Sequence, residues 1–438
     1  MQIRIVLAAA LCAAACGGSS QTDHTGTLTV TLTQAPPDAL CVQLTATGAT
    51  RSVTRSFNLA AGQSTVSLAM NGIPTGNVLL SGSAYNSGCS LTLDTPSWVV
   101  VPQQVTVPGS ATLVLVRNGQ ESLGLNFQDD QRAVTTLVGS GLSNPFAAIA
   151  DNAGHLLVAD TGNNAIKQVT IATKAVTTVA SGSPLIGPGG LARDASGNIY
   201  VVNGACNIVK ITGGVATVFA GSTLGCTGFA SDGVGTAARF YAPLACVVVT
   251  TGSASYLYVT DHNSIRQIVL SGGTVGQVTT VAGTYLSGSA DGSGAAATFF
   301  GLNGIAADAS NLYVTDRGTI RQITLSGFNV TTIEGTAGGN SEVDALGADA
   351  GFSVPAGIAA DGAGNLFVSD QGGNTVRRVV LASSAVVTIA GTAGSAGTAD
   401  GAGSAARFNA PSLLGIDSAG VLYLADQGNN SIRAIAAP

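Results

Sequence analysis

Charge is scarce in this 438-residue sequence: only 9% of its residues are Asp, Glu, Lys or Arg. Helices of soluble proteins usually draw heavily on Glu, Lys and Arg, so a mainly helical chain is excluded. No Lys/Arg run occurs and the net charge is −6. Nucleic-acid binding rests on neutralising phosphates, so it is excluded as well. Histidine is confined to His24, His155 and His262, and glutamate to Glu121, Glu334 and Glu342. After the first 16 residues no apolar run reaches membrane-spanning length. What is abundant is Gly, at 59 residues, together with Val, Thr and Ser. That mixture suits short strands and tight turns.

The opening MQIR supplies Arg4, and IVLAAALCAAA is too short to cross a bilayer comfortably. Residues 1–15 are therefore expected to be a signal peptide. AAAC, Ala13 to Cys16, resembles a bacterial lipobox, with Ala13 where lipoproteins more often have Leu. The resemblance implies a diacylglycerol on Cys16, the alternative being plain cleavage after Ala15. Residues 16–25 would form a flexible polar tether. The expected address is the cell envelope, with the chain exported and held at the membrane by the lipid alone. Gly17 stands in place of the Asp that often retains lipoproteins at the inner membrane, which favours the outer membrane in a Gram-negative cell.

Export permits disulfides. Beyond Cys12 and Cys16 there are five cysteines: Cys41, Cys89, Cys206, Cys226 and Cys246. Five is odd, so at least one stays unpaired within the chain. Cys41 and Cys89 are the only two in residues 26–118, and their pairing would close a long loop. Seven alternating apolar/polar segments in that stretch suggest a β-sandwich of immunoglobulin-like or transthyretin-like type. It shows no His, no acidic cluster and no nucleophile constellation, which suits a spacer or adhesion module. Residues 119–131 are the linker.

From residue 132 onward the chain repeats. Units such as NGIAADASNLYVTDRGTIRQI (from Asn303) and PAGIAADGAGNLFVSDQGGNTVRRV (from Pro355) each hold three short strands. A fourth strand of the VTTVAG type follows. The residue ending the second strand is Asp160, Asn203, Asp261, Asp316, Asp370 and Asp426, which gives six units of four strands. The sixth ends at SIRAIAAP and lacks a fourth strand. An orphan copy, AVTTLVG from Ala133, precedes the first unit. Residues 133–139 are expected to complete the last blade and lock an all-β, six-bladed propeller over 132–438.

The pattern P-x-G-I-A-x-D-x-x-G-N-L-Y-V-x-D-x-x-N-N-x-I-R-x-I, followed by VTTxAG, resembles the NHL-repeat family over about 300 residues. The second unit departs most, with Asn203 for Asp and Val209 for Arg.

The Asp ending each second strand is expected to accept hydrogen bonds from turn amides. Lys167, Arg266, Arg321, Arg377 and Arg433 recur on the third strands, which argues for a structural role. The functional alternative is a ring of polar groups at the channel mouth. Four blade junctions carry insertions sharing A/S-D-G-x-G-x-A-A-x-F, the third copy diverging. Asp-Gly favours a turn, and the Ala run suits one helical turn with Phe240, Phe299 or Phe408 tucked against a blade. One Asp per loop is too sparse for calcium, so no metal or cofactor is expected.

Strand order puts the insertions and the turns between second and third strands on one face. The binding candidates are His262, Tyr285 and Arg317, with Asp160, Asp261, Asp316, Asp370 and Asp426. Cys206–Cys226 is the expected bond on this face with Cys246 buried, Cys226–Cys246 being the rival. Six-bladed enzymes such as lactonases and amidating lyases need a metal or a placed acid/base set. Here His155 and His262 fall on opposite faces. Asp194, Asp308, Asp361 and Asp417 end first strands near the axis, but in repeating positions that suit turns. No catalytic residue is assigned. The expected function is a non-catalytic scaffold for a protein, peptide or glycan; the alternative is a hydrolase or lyase working in the channel.

Overall fold

The structure is a computed structural model. It describes residues 4–8, 25–33, 41–47, 52–58, 65–74, 76–85, 98–107, 112–113, 115–117 and 132–437, except 227 and 383. The chain divides into two compact units, Met1–Asp129 and Asp130–Pro438.

The first unit holds two antiparallel sheets. One has the spatial order Thr65–Pro74, Thr25–Thr33, Arg4–Ala8, Thr112–Leu113. The other runs Ser52–Asn58, Cys41–Thr47, Gly76–Tyr85, Trp98–Val107, Leu115–Arg117. All seven expected strand segments are present. Arg4–Ala8, within the expected signal peptide, is a strand paired with Thr25–Thr33 on one side and Thr112–Leu113 on the other. Its Ile-Val-Leu core has the aliphatic, β-branched character that fits a pleated surface. Cys41 opens a strand, whereas Cys16 and Cys89 lie outside the described residues.

The second unit is a six-bladed β-propeller. Blade 1 comprises Pro145–Ala150, His155–Asp160, Ala165–Thr170 and Val176–Ser181, from the axis outward. Blade 2 comprises Pro188–Arg193, Ile199–Asn203, Asn207–Thr212 and Val215–Gly221. Blade 3 is Pro243–Thr251, Ala254–Asp261, Ser264–Ser271 and Gln277–Gly283. Blade 4 is Leu302–Ala307, Asn311–Asp316, Thr319–Thr324 and Asn329–Gly335. Blade 5 is Pro355–Ala360, Asn365–Asp370, Thr375–Val380 and Ala385–Gly391. Blade 6 takes Pro411–Ile416, Leu422–Asp426 and Ser431–Ile435 from the tail, and its outer strand is Ala133–Val138.

That outer strand closes the ring. It runs antiparallel to the third strand, with Val134 opposite Ile435, Thr135 opposite Ala434 and Thr136 opposite Arg433. Val134 and Val138 are buried, and Leu137, Val138 and Leu142 share an apolar cluster with Ala148 and Val158 of blade 1 and Tyr423 and Ile432 of blade 6.

Blades touch closely at the inner strands. A Cβ on Gly357 would lie 2.8 Å from both Leu413 Cα of the next blade and Ser369 Oγ, so only glycine fits there. Each inner strand carries a register shift just after its start, as between Leu302 and Ile305. Three buried hydroxyls fill the gaps this leaves. Thr315 Oγ1 accepts from Gly304 N (2.8 Å) and donates to Ala356 O of the next blade (2.9 Å). Thr260 does the same between Ala245 and Asn303, and Ser369 between Gly357 and Ser412.

Candidate functional site: the insertion-bearing face

The four insertions are built alike. Each places two residues as a short antiparallel strand on the outer strand of the blade that follows. Gly233–Val234 lies on blade 3, Gly292–Ser293 on blade 4, Ala345–Leu346 on blade 5 and Gly401–Ala402 on blade 6. A one-turn 3-10 helix comes next, and then a fully buried phenylalanine: Phe240, Phe299, Phe352 or Phe408. The third copy therefore diverges in sequence but keeps the form.

The kernel aspartate holds an arginine. Arg321 is completely buried; it donates to Asp316 of its own blade (3.0 Å) and to Asp291 of the insertion (2.7 Å), and its guanidinium lies 5.2 Å from the Phe299 ring centre. Arg266 is clasped by Asp261 and Asp232 over Phe240, and Arg433 by Asp426 and Asp400 over Phe408. Removing one member of such a pair leaves an uncompensated buried charge and typically costs about 3–5 kcal/mol. The two carboxylates on one arginine respond differently. Burial pushes Asp316 and Asp426 above the ordinary value, despite amide and guanidinium hydrogen bonds. Burial acts on Asp291 and Asp400 too, but bonds from Thr332 or Thr136 and the arginine outweigh it and hold them below. The insertion carboxylates are about half exposed and the strand carboxylates are not, which accounts for the opposite signs.

This geometry corrects the binding-face reading of five residues. Asp160, Asp261, Asp316, Asp370 and Asp426 are all at most 2% exposed, so they cannot meet a partner. The amides they serve also differ from those expected. Asp261 accepts from Tyr241 N and Ala242 N, and Asp316 from Phe300 N and Gly301 N, which lie on the segment entering the same blade. Asn203 plays this part in blade 2 by accepting from Ile186 N.

The other three candidates are available. Tyr285 is 75% exposed, Arg317 is exposed and His262 is half-buried. Around them the fold gathers exposed aromatics that the repeat pattern does not single out. Phe229 is 76% exposed and stands 6.0 Å from the Tyr285 ring, joining two successive insertions. Tyr241 meets His262 edge-on at 5.0 Å. Leu224, Leu286 and Phe300 are also exposed on the same insertions. A Cys206–Cys226 disulfide fastens the first of these insertions to the turn of blade 2, and Cys246 is free and buried.

The axis offers different chemistry. A cavity of about 260 Å³ is lined by inner strands of all six blades, through residues such as Ile149, Leu191, Val247, Ile305, Ile358 and Leu414. Among the described residues that line it, Arg193 and the buried Cys246 are the ionisable ones. Asp194, Asp308, Asp361 and Asp417 are occupied by turns on the far face: Asp308, for instance, accepts from Ser310 N, Asn311 N and the Tyr313 hydroxyl. His155 donates its backbone N–H to Asp151 on that far face, with Nδ1 3.1 Å from the same carboxylate. Among the described residues no three His, Cys, Asp or Glu side chains converge as metal ligands.

No family model and no curated protein matches the chain. Solved structures do. A structural-genomics protein of unknown function from Bacteroides thetaiotaomicron VPI-5482 aligns with a TM-score of 0.55 at 17% identity, covering 94% of each chain. A calcium-binding protein, regucalcin, from Agrobacterium tumefaciens strain C58 aligns with a TM-score of 0.45 at 12% identity, over 70% of this chain and 93% of its own. At 17% identity the first likeness concerns the fold alone.

Proposed function

We propose that the protein is a cell-envelope scaffold, an NHL-type propeller that binds a protein, peptide or glycan through its insertion-bearing face without catalysing a reaction. The observation that carries this reading is the exposed aromatic group Phe229, Tyr241 and Tyr285, with His262 beside it, on loops braced by buried arginines and a disulfide. Exposed aromatics gathered on a rigid frame are what recognition surfaces use. Among the described residues, those lining the aliphatic cavity at the axis include no acid/base pair of the kind a channel hydrolase or lyase requires. Lipidation at Cys16 would follow removal of residues 1–15, the strand Arg4–Ala8 among them, and would tether the mature chain to the membrane, outer in a Gram-negative cell, with residues 26–118 as spacer.

The test uses the purified full chain on glycan and peptide arrays beside a Phe229→Ser/Tyr285→Ser variant. Wild-type signals that fall at least tenfold in the variant, with unchanged circular dichroism, support the reading. Signals that survive the double substitution refute it.

A further inference from the structure

Blades 1 and 2 lack something the other four share. No insertion precedes them, and among the described residues their outer strands, Val176–Ser181 and Val215–Gly221, carry no fifth strand. In blades 3–6 that edge is covered in one way. Asp232 accepts from the backbone N–H and the hydroxyl of Thr280 (3.0 and 2.9 Å) and from Arg266 (3.0 Å). Asp291 serves Thr332 and Arg321, Asp344 serves Thr388 and Arg377, and Asp400 serves Thr136 and Arg433. The adjacent two-residue strand then pairs antiparallel with the edge.

Blade 1 keeps the receiving half of this arrangement. Thr178 lies opposite Lys167 as Thr280 lies opposite Arg266. Lys167 Nζ donates to Thr178 Oγ1 at 2.9 Å, on the side where an insertion carboxylate would sit. The carboxylate itself is missing, because the six residues 139–144 that enter blade 1 are too short to hold the kernel. Val176, Thr177 and Thr178 are exposed in sequence. Blade 2 does not keep the arrangement: Val209 and Val218 occupy the two positions. All three lysines of the chain, Lys167, Lys174 and Lys210, belong to these two blades, and Lys174 is exposed in the turn leading into the blade 1 edge.

We propose that the outer edge of blade 1 is a docking site for an extended peptide segment of another polypeptide, bearing an aspartate followed by a small residue. Its carboxylate takes the place that Asp232, Asp291, Asp344 and Asp400 hold on the other blades, accepting from Thr178 N–H, Thr178 Oγ1 and Lys167 Nζ. The two residues after the aspartate pair antiparallel with Val176 and Ala175, as Gly233 and Val234 pair with Val278 and Gln277 on blade 3. Main-chain bonds give such strand addition its affinity, and the carboxylate sets its register. An open edge would otherwise recruit strands indiscriminately; lysines restrict it to acidic ones.

The chain's own kernel provides the probe. A fluorescein-labelled peptide of the sequence AGTADGAG, residues 396–403, is titrated into the full-length protein, with a photo-crosslinking version run in parallel. Saturable anisotropy with a Kd below about 1 mM is expected, with cross-links centred on residues 174–178. Replacing the peptide's aspartate by Asn, or Lys167→Gln in the protein, weakens binding about tenfold. Tyr285→Ala leaves it unchanged, which separates this edge from the aromatic face. The proposal is overturned by no saturation, by equal binding of the Asn peptide, or by cross-links elsewhere on the ring. Concentration-dependent self-association abolished by Lys167→Gln would assign the edge to a second copy and equally overturn it.

Discussion

Blade 5 solves the problem of its second-strand aspartate with different atoms from its neighbours. In blades 1 and 6 the second carboxylate oxygen accepts from an asparagine amide, Asn163 to Asp160 at 2.9 Å and Asn429 to Asp426 at 2.8 Å. The corresponding residue of blade 5 is Gly373, and Glu342 of the insertion occupies the space a side chain there would need. Glu342 faces Asp370, Thr375 and Arg377, and its Oε1 meets no protein N–H or O–H donor. A proton on Glu342 would let its carboxyl donate to the Asp370 carboxylate it faces. Burial, and then the adjacent Asp370, raise Glu342 from the ordinary 4.5 to about 8. A carboxyl raised on folding binds more protons in the native state than in the unfolded one. Its stabilisation is complete below about pH 4.5 and is lost as pH rises to about 8, by up to about 1 kcal/mol per pH unit. Glu334, raised to about 8 by burial, acts with the same sign. Glu342→Gln restores an amide donor and removes one of these slopes. Thermal melts from pH 5 to pH 9 are expected to show the variant overtaking wild type and exceeding it by several degrees at pH 8.5. Parallel curves at all pH values would mean that Glu342 is not raised in the folded protein.

Strands and turns are the scale at which the sequence was most legible, because a repeat exposes its own register. The second-strand aspartates and third-strand arginines recur at fixed places, and the kernel phenylalanines Phe240, Phe299 and Phe408 are buried as their repeated position implies. The insertion aspartates escaped notice as partners of those arginines because Asp291 and Arg321 are 30 residues apart and Asp400 and Arg433 are 33 apart. A covariation within the chain does carry the signal: arginine appears in the four blades an insertion precedes, and Lys167 or Val209 in the two without one. The aromatic face was legible only in part: Tyr285 and His262 follow from strand order, whereas Phe229 and Tyr241 are brought beside them by the fold alone. Also hidden was the purpose of the hydroxyl preceding Asp261, Asp316 and Asp370. Thr315→Val keeps the shape and leaves Gly304 N–H and Ala356 C=O buried without a partner, so a loss of about 2 kcal/mol is expected in urea denaturation. Thr315→Ser, the solution blade 5 already uses in Ser369, should stay within about 1 kcal/mol. A valine variant as stable as wild type would show that the hydroxyl does not join the blades.

For the whole molecule the decisive contact joins residues about 300 positions apart, in the pairing of Ala133–Val138 with Ser431–Ile435. A closed propeller has no free blade face, so each blade is sheltered by two others, and opening anywhere exposes two apolar surfaces at once. Blade 6 is where opening needs no break within a continuous blade, because its outer strand is tied to the rest of its sheet only by non-covalent bonds. Asp400 adds to that tie through Thr136 N and Oγ1, at 3.0 and 2.8 Å, so the last insertion serves the closure as the others serve their blades. If this seam limits unfolding, a covalent link across it must slow the loss of the whole ring. Thr135 and Ala434 stand directly opposite each other, and opposed antiparallel positions lie within the Cα range a disulfide spans. Oxidised Thr135→Cys/Ala434→Cys is expected to melt roughly 5 °C or more above wild type and to unfold more slowly in guanidinium. Dithiothreitol should abolish the gain, with wild type under the same reductant as the control for loss of Cys206–Cys226. An oxidised variant that melts and unfolds like wild type would place the first opening at another blade.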